Sequence, residues 1–212
     1  MAAPQPYLCG MSRRRLIYIG FFLLLFLGFV AALAILVPGF FKYRVPPIGE
    51  VQPFSFVNQD SAVVTEKAIE GKVVAVNFFF TTCKSVCPKM NNNLKPVYEA
   101  FKNEPGFLLL SHTSDPDRDS PAVLKHYADS LGIDTKRWVF LTGRKDSLYA
   151  AARRSYKIDD PHNNLASTDD EFLHTQLVAL VNRDGDVVKI YDGLKADEMK
   201  ELEVEIRKLL KK

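Results

Sequence analysis

The sequence predicts an α/β domain that follows a single membrane-spanning helix, and three observations lead to this prediction. The run from Leu16 to Val37 contains 22 residues and no charged side chain. After it, short apolar strands alternate with amphipathic helical segments, a pattern typical of crossover units around a parallel sheet. The chain then ends in a pair of strands and a helix. At 212 residues it is long enough for one such domain and an appendage.

The apolar run 16–37 is predicted to be an uncleaved transmembrane anchor. At about 1.5 Å per residue it spans roughly 33 Å, enough to cross a hydrocarbon core of about 30 Å. A secretory signal has a shorter apolar region of roughly 7–15 residues and a small-residue cleavage site, whereas this run ends at Pro38-Gly39. Three arginines precede it, and Lys42 and Arg44 follow, so the positive-inside rule favours a cytoplasmic segment 1–15.

A buried strand, a tight turn and a helix form the centre of the predicted domain. The segment 38–52 is proline-rich and is expected to be a linker, which leaves 53–212 for the domain. Val73–Phe80 is almost continuously apolar, as in a strand buried on both faces of a sheet. Pro88 suits a first helical turn, and apolar residues then recur at three- and four-residue spacing, which predicts a helix over about 87–102.

The rest of the domain alternates strands with helices. A short strand or a hairpin is expected near the start of the domain, around 54–60. The further elements expected are strands at 107–110, 138–141, 177–181 and 187–191, and helices at 121–131, 146–156 and 196–210. Ser120 is the expected cap of the first of these helices, and Asp184-Gly185 predicts a hairpin between the last two strands. The order βαβαβαββα is that of the thioredoxin fold. The polar interval 157–172 is longer than an ordinary connection, which makes it a candidate functional loop.

Two cysteines lie at the predicted turn from strand to helix, in Thr81-Thr82-Cys83-Lys84-Ser85-Val86-Cys87-Pro88. A helix N-terminus carries unpaired N–H groups and about half a positive charge, which favours a thiolate over a thiol. We therefore expect a lowered pKa at Cys83. If the helical turn begins at or just before Cys83, both sulfurs lie on one face and two thiolates can share one ion.

From the residues, three interpretations of the cysteine pair are open. A structural disulfide is common outside the cytoplasm, but the position at the mouth of a strand-to-helix turn argues against it. A redox dithiol suits that position, although thioredoxin-type oxidoreductases separate their cysteines by two residues and this chain separates them by three. We favour a site for a soft metal ion, which needs at least one more ligand.

His174 is the predicted third ligand. In the thioredoxin order, the loop before the terminal hairpin lies opposite the cysteine turn, and oxidoreductases usually place a cis-proline there. This chain places His174 there instead. Two thiolates and one imidazole suit Cu(I) and are compatible with Zn(II). His112, predicted to follow a strand, and His126, within a predicted helix, are expected to be ordinary polar residues, and His162 in the long loop is a weaker candidate for an auxiliary ligand.

Three features exclude other functions. The net charge of +3 is weak for a nucleic-acid binder, and basic residues alternate with acidic ones through the soluble part, so no nucleic-acid partner is expected. Cys9 precedes the apolar run, unlike the lipidated cysteine of a lipoprotein, and is expected to be a free cytoplasmic thiol. Peroxiredoxins place proline seven residues and Thr or Ser three residues before the reactive cysteine, whereas this chain has Val76 and Phe80.

With these features the sequence resembles the Sco/SenC family, the membrane-tethered copper chaperones of cytochrome c oxidase assembly. The resemblance covers about 53–212. The segments that carry it are Gly71-Lys72-Val73-Val74, Asn77-Phe78-Phe79-Phe80-Thr81-Thr82-Cys83, Cys87-Pro88, Asp115-Pro116-Asp117-Arg118-Asp119, and His174 ahead of the strand that leads to Asp184-Gly185. One departure is Leu173, because many members carry Asp directly before the histidine.

The resemblance implies that Cys83, Cys87 and His174 hold a copper ion, Cu(I) or Cu(II), and that the chain delivers it to the CuA site of cytochrome c oxidase subunit II. The alternative is a thiol-disulfide oxidoreductase that reduces the CuA cysteines or other extracytoplasmic disulfides through Cys83 and Cys87. One site could do both, because only the reduced pair binds copper. Other copper chaperones or thioredoxin-like reductants would then be further partners.

Two more expectations concern location and the acidic segment. The first 15 residues are short for a transit peptide, which favours a bacterial inner membrane, crossed once, with the soluble domain in the periplasm. Asp115 is expected to shape a turn and the approach to a helix rather than to bind metal.

Overall fold

The computed structural model describes residues 13–36, 46–159 and 175–211. Packing divides the chain into two compact units, Met1–Pro46 and Pro47–Lys212. The described part of the first unit is helix α1 (Arg13–Leu36), which is long and apolar enough to cross a membrane. It is a candidate transmembrane span and includes the predicted anchor as far as Leu36.

The second unit is a mixed α/β domain, and the predicted fold class is confirmed. Its elements are β1 (Gly49–Glu50), β2 (Ser55–Asn58), β3 (Val63–Thr65), β4 (Val73–Phe79), α2 (Val86–Phe101), β5 (Phe107–Thr113), α3 (Pro121–Leu131), β6 (Trp138–Thr142), α4 (Lys145–Ala150), β7 (Leu177–Val181), β8 (Asp186–Asp192) and α5 (Ala196–Leu210). Of the strand or hairpin predicted near the start, the structure has the hairpin, formed by β2 and β3. The short strand β1 lies within the segment 38–52 that the sequence assigns to a linker.

The described strands form one sheet in the order β1-β8-β7-β4-β5-β6-β2-β3. The central strands β4, β5 and β6 are parallel, as crossover connections through α2 and α3 require. In the register of β4 and β5, Phe79 pairs with Thr113. The two strands therefore end at the same edge of the sheet, and the segments that follow them lie side by side there.

Both faces of the sheet are covered, which explains the apolar character of the central strands. Every residue of β4 is buried, as predicted for a strand enclosed on two sides. Helices α2, α3 and α5 pack on one face around Leu94, Leu124 and Leu202. On the other face, Leu148 of α4 packs in a second cluster of buried residues with Phe56, which projects from β2 of the sheet.

Local signals in the sequence placed most element ends correctly. The Ser120 hydroxyl accepts a hydrogen bond from the Val123 N–H and caps α3, which ends at Gly132 in the left-handed region with φ of 64°. The turn between β7 and β8 contains Gly185 with φ of 87°, a conformation that costs glycine little.

Two expectations need correction. The single helix expected over 146–156 is the short helix α4 followed by a π-helical turn, Ala151–Ser155. His112 does not follow β5 but lies inside it, because the strand continues to Thr113. It is fully buried rather than an ordinary polar residue. His126, by contrast, is exposed on α3.

Candidate metal centre

The two cysteines lie on either side of the start of α2. After β4 the chain turns, and the Cys83 N–H donates to the Phe80 carbonyl at 3.2 Å. Helix α2 begins at Val86, and its N-cap Ser85 makes no side-chain capping bond. The helix thus begins after Cys83. The prediction that both sulfurs lie on one helix face required a helical turn that begins at or just before Cys83, and this requirement is not met. The two residues nevertheless meet, because the turn points Cys83 back towards the free N–H groups of α2.

The sulfur of Cys83 is stabilised as a thiolate by its neighbours. The Cys87 backbone N–H donates to Cys83 Sγ at 3.4 Å. Partial burial raises the pKa of Cys83, but hydrogen bonds from the backbone N–H and thiol of Cys87 outweigh this effect. The N–H groups of Ser85 and Val86 add to it, so the pKa of Cys83 lies below the ordinary thiol value. The expectation of a lowered pKa at Cys83 is thus supported.

Cys87 has the opposite character. Its side chain is buried, and this burial raises the pKa of the thiol to about 12. The hydrogen bond with Cys83 contributes to this rise, because the thiol proton is shared with that sulfur. Both cysteines are free thiols in this structure. The pair therefore combines an accessible nucleophilic sulfur with a protected, protonated one.

A cavity of about 150 Å³ opens beside the two sulfurs. Three structural features line it: the end of β4, the cysteine turn and the chain entering β7. The lining residues are Phe78, Phe79, Phe80, Cys83, Ser85, Val86, Cys87, Thr175 and Gln176. Phenylalanine side chains keep one wall apolar, which limits water around a bound ion and suits soft sulfur donors.

The approach to β7 is held against the cysteine helix. The Gln176 carbonyl accepts a hydrogen bond from the Gly193 N–H at 2.8 Å, and the Gly193 carbonyl accepts one from Asn93 of α2 at 2.9 Å. A side chain at position 193 would clash with its neighbours, since a Cβ added to Gly193 would lie 2.8 Å from Met90 Cγ and 2.9 Å from the Gln176 oxygen. These contacts fix Gln176 relative to α2.

The remaining predicted ligands lie outside the described residues. These are His174, which directly precedes Thr175 in the chain, and His162. Most of the loop 157–172 and Cys9 also lie outside the described residues. Within the described ranges, no group of three His, Cys, Asp or Glu side chains forms a metal site. His174 as third ligand stays a prediction. Asp115 pairs with Arg118 at 3.4 Å in the turn before α3, consistent with the shaping role expected of it.

Sequence reasoning missed a carboxylate that supports the cysteine turn. Asp119 is fully buried and accepts hydrogen bonds from the backbone N–H and the hydroxyl of Thr81 and from the Thr113 hydroxyl. It was noted only as part of the acidic segment 115–119. The sequence did contain a signal for this contact, because the acidic segment directly follows β5 and the cysteine turn directly follows β4. Segments that follow neighbouring parallel strands lie close together.

A tyrosine next to the cysteines was also missed. Tyr127 of α3 stacks on Phe79 with ring centroids 5.2 Å apart, and its hydroxyl accepts a hydrogen bond from Asn91 at 2.7 Å. Burial is the main cause that raises the pKa of Tyr127 to about 12, and electrostatic interactions with the cysteine pair and Asp119 contribute to the rise. The residue therefore remains a neutral phenol beside the sulfurs.

Comparison with known proteins gives a family match over most of the chain. The SCO1/SenC family model matches residues 46–211. The chain belongs to this family. The SCO1 protein homolog of Bacillus subtilis is 32% identical over 149 residues, which cover 68% of this chain and 75% of the relative.

Solved structures of Sco proteins share the fold. BsSco, a member of the Sco family of cytochrome c oxidase assembly proteins studied for a disulfide switch, superposes with a TM-score of 0.66 at 27% identity, covering 80% of this chain and 99% of that one. Yeast Sco1 with copper bound superposes with a TM-score of 0.55 at 28% identity, covering 73% of this chain and 87% of that one. The family thus includes a copper-bound member and a member with a disulfide switch.

Proposed function

We propose that this chain is a copper chaperone in cytochrome c oxidase assembly and that it delivers copper to the CuA site of subunit II. The observation that carries the proposal is the pair of free thiols of Cys83 and Cys87, in contact with each other beside a cavity of about 150 Å³. Copper is the cargo of such a protein. Thiolates are the donors that Cu(I) prefers, and family members bind copper.

The two sulfurs would bind copper in turn. Cys83 would bind first, because its sulfur is exposed enough to reach and its pKa is lowered. Cys87 would follow and lose its proton to solvent, since a thiol must be deprotonated to ligate. We further propose that His174 supplies the third donor, because Thr175 and Gln176, which follow it in the chain, line the same cavity.

The test of the three-donor site is His174→Ala in the reduced full chain in detergent, with the exposed His126→Ala as matched control. Loss of even an outer partner of a ligand typically lowers metal affinity 10–100-fold, so loss of a ligand should lower Cu(I) affinity by about 100-fold or more. Competition with a Cu(I) chelator measures it. Unchanged affinity in His174→Ala would exclude the third donor, and a wild-type chain that binds no copper would exclude the chaperone function.

A second candidate function is thiol-disulfide exchange, and the difference between the two cysteines favours it. The Cys83 thiolate would attack a client disulfide, release one client thiol and form a mixed disulfide. Cys87 would then lose its proton and attack Cys83, releasing the second client thiol. The client gains two electrons and takes up two protons from solvent, which balance the protons that Cys83 and Cys87 release on ionising, and the pair becomes a disulfide. Incubation of the reduced chain with an oxidised CuA domain, followed by quantification of free thiols on the CuA domain alone, tests this step.

The location follows from the candidate transmembrane helix. We propose that α1 anchors the chain in a bacterial inner membrane with the domain in the periplasm, because three arginines precede the apolar run. A reporter that is active only in the periplasm, fused after Lys212, tests the orientation. An inactive reporter in a fusion that is expressed and inserted in the membrane would reverse the proposed orientation.

A further inference from the structure

We propose that Asp119 is a positioning residue for the cysteine turn: its buried carboxylate holds Thr81 so that Cys83 faces the N–H groups of α2. The proposal rests on the proposed use of Cys83 and Cys87 as reactive sulfurs. It also gives a role to Asp119, the last residue of the acidic segment 115–119, which takes no part in the proposed copper binding.

The contacts of Asp119 join two segments that are far apart in the chain. Its Oδ2 accepts a hydrogen bond from the Thr81 N–H at 3.1 Å and one from the Thr113 hydroxyl at 2.5 Å. Its Oδ1 accepts a third from the Thr81 hydroxyl. Hydrogen bonds to a charged acceptor are about twice as strong as neutral ones, so Thr81 is held at two atoms by one rigid group.

Asp119 is itself held in place. Its N–H donates to the Asp115 carbonyl at 2.9 Å, and the Asp115 N–H donates to the Thr113 hydroxyl at 2.9 Å. The neighbouring cation, Arg118, pairs with Asp115 rather than with Asp119. A buried carboxylate is costly unless it is hydrogen-bonded, so the three bonds it accepts from Thr81 and Thr113 compensate its burial.

Apart from the bonds to the Cys83 sulfur, backbone–backbone bonds within the cysteine turn are few, so an anchor outside the turn affects its position. One backbone bond, from Cys83 to Phe80 at 3.2 Å, closes the turn, and Ser85 does not cap α2 with its side chain. The N–H of Cys87 instead points at Cys83 Sγ. Thr81 lies two residues before Cys83, so releasing it would let the sulfur move away from those N–H groups.

If Asp119 acted on Cys83 only through its charge, Asp119→Asn would change the reactivity of Cys83 in the opposite direction. Removing a negative charge near a thiol favours the thiolate, so Asp119→Asn would make Cys83 more reactive if only its charge mattered. If Asp119 positions the turn, the same substitution makes Cys83 less reactive, because the sulfur loses N–H partners. Thr81→Val removes one of the three bonds without any change of charge.

The experiment measures alkylation of each cysteine by iodoacetamide in the reduced full chain in detergent at pH 7, with mass spectrometry of the peptides. For Asp119→Asn we expect the rate at Cys83 relative to Cys87 to fall about tenfold, the effect of one lost hydrogen bond to a charged group. Thr81→Val should lower it about threefold. Asp117→Asn, an exposed residue of the same segment with the same charge change, should leave it unchanged.

The outcomes separate this inference from the proposed function. A wild-type or raised rate at Cys83 in Asp119→Asn, or an equal fall in Asp117→Asn, would overturn it. If circular dichroism shows that Asp119→Asn does not fold, Thr81→Val decides, since it retains the carboxylate, and an unchanged rate there would overturn the inference. Copper titration of the wild type decides the chaperone function independently, because the thiol assay contains no copper.

Discussion

Adjacent residues of β5, Thr113 and His112, point to opposite faces of the sheet and have opposite surroundings. The Thr113 hydroxyl donates to Asp119 and accepts from the Asp115 N–H, within the network beside the cysteine turn. His112 is equally buried, yet neither ring nitrogen has a hydrogen-bond partner among the described residues. Its neighbours are rings: Phe78 stacks on it with centroids 4.9 Å apart, and Phe56 meets it edge-on at 5.3 Å.

Each face of the sheet carries a large apolar cluster, and the difference shows how a buried polar group is accommodated beside each of them. On the face of the cysteines, directional hydrogen bonds position polar groups, which is what a metal or redox site needs. On the face of His112, the aromatic side chains are stabilised by their buried area and by contacts between rings. The imidazole among them costs free energy, because its buried nitrogens have no hydrogen-bond partner among the described residues. Burial holds the pKa of His112 down, to about 3, so the ring is neutral at physiological pH.

The largest expected effect concerns the two sulfurs. Cys83→Ser and Cys87→Ser each leave one thiolate where two are proposed, so we expect Cu(I) affinity to fall by about 100-fold or more. Cys9→Ser, which changes the third cysteine of the chain, is the matched control and should bind as the wild type does. Chelator competition measures all three. Copper binding that survives in either site variant would show that the ion does not need both sulfurs.

The second prediction concerns the pH dependence of the thiols. The pKa of Cys83 is lowered and that of Cys87 is raised to about 12, so Cys83 should be alkylated at least about 100-fold faster at pH 7. The rate at Cys83 should level off below the ordinary thiol pKa, whereas the rate at Cys87 should keep rising with pH. Alkylation quenched at a series of times and pH values, followed by peptide mass spectrometry, measures the rates at Cys83 and Cys87. Equal rates would contradict the asymmetry.

The third prediction tests the opposite face with His112→Phe. The pKa of His112 is lower in the folded chain than in the unfolded one, so the unfolded chain binds the extra proton as pH falls below about 6.5 and stability is lost. At about 1.4 kcal/mol per pH unit, the wild type should lose about 2 kcal/mol by pH 5 through this residue. Phenylalanine matches the aromatic surroundings and should remove that loss.

Urea unfolding of the full chain in detergent at pH 5 and pH 8 measures the effect. His126→Phe, on the exposed surface of α3, is the control and should leave the difference between the two pH values as it is in the wild type. A pH dependence that persists unchanged in His112→Phe would mean that other groups cause it.

The smallest expected effect separates stability from site geometry. Ser120→Ala removes the hydroxyl that caps α3, next to Asp119, and should cost about 1 kcal/mol in urea unfolding. The capping bond does not reach the cysteine turn, so Cys83 reactivity and copper affinity should stay at wild-type values. A change in either would mean that general loosening of this region, rather than the contacts of Asp119, controls the site.

Periodicity and local signals in the sequence predicted most of the fold. The apolar run of β4, the Ser120 cap and the Asp184-Gly185 turn each have a local physical cause, so they could be recognised without the structure. The length of β5 could not, because Ser111, His112 and Thr113 are polar residues that the surrounding tertiary structure buries. For the same reason the burial of His112 was missed.

The sequence by itself determined the order of elements, the candidate membrane helix and the position of Cys83 and Cys87 at a strand-to-helix turn. Their chemical difference was decided by the tertiary structure, since the exposure of each sulfur and the direction of the Cys87 N–H depend on how α2 packs. The same is true of Asp119, which lies 38 positions from Thr81 in the chain. Hydrogen bonds between distant segments leave no periodic pattern in a sequence, because the register of β4 and β5 brings the partners together only after folding.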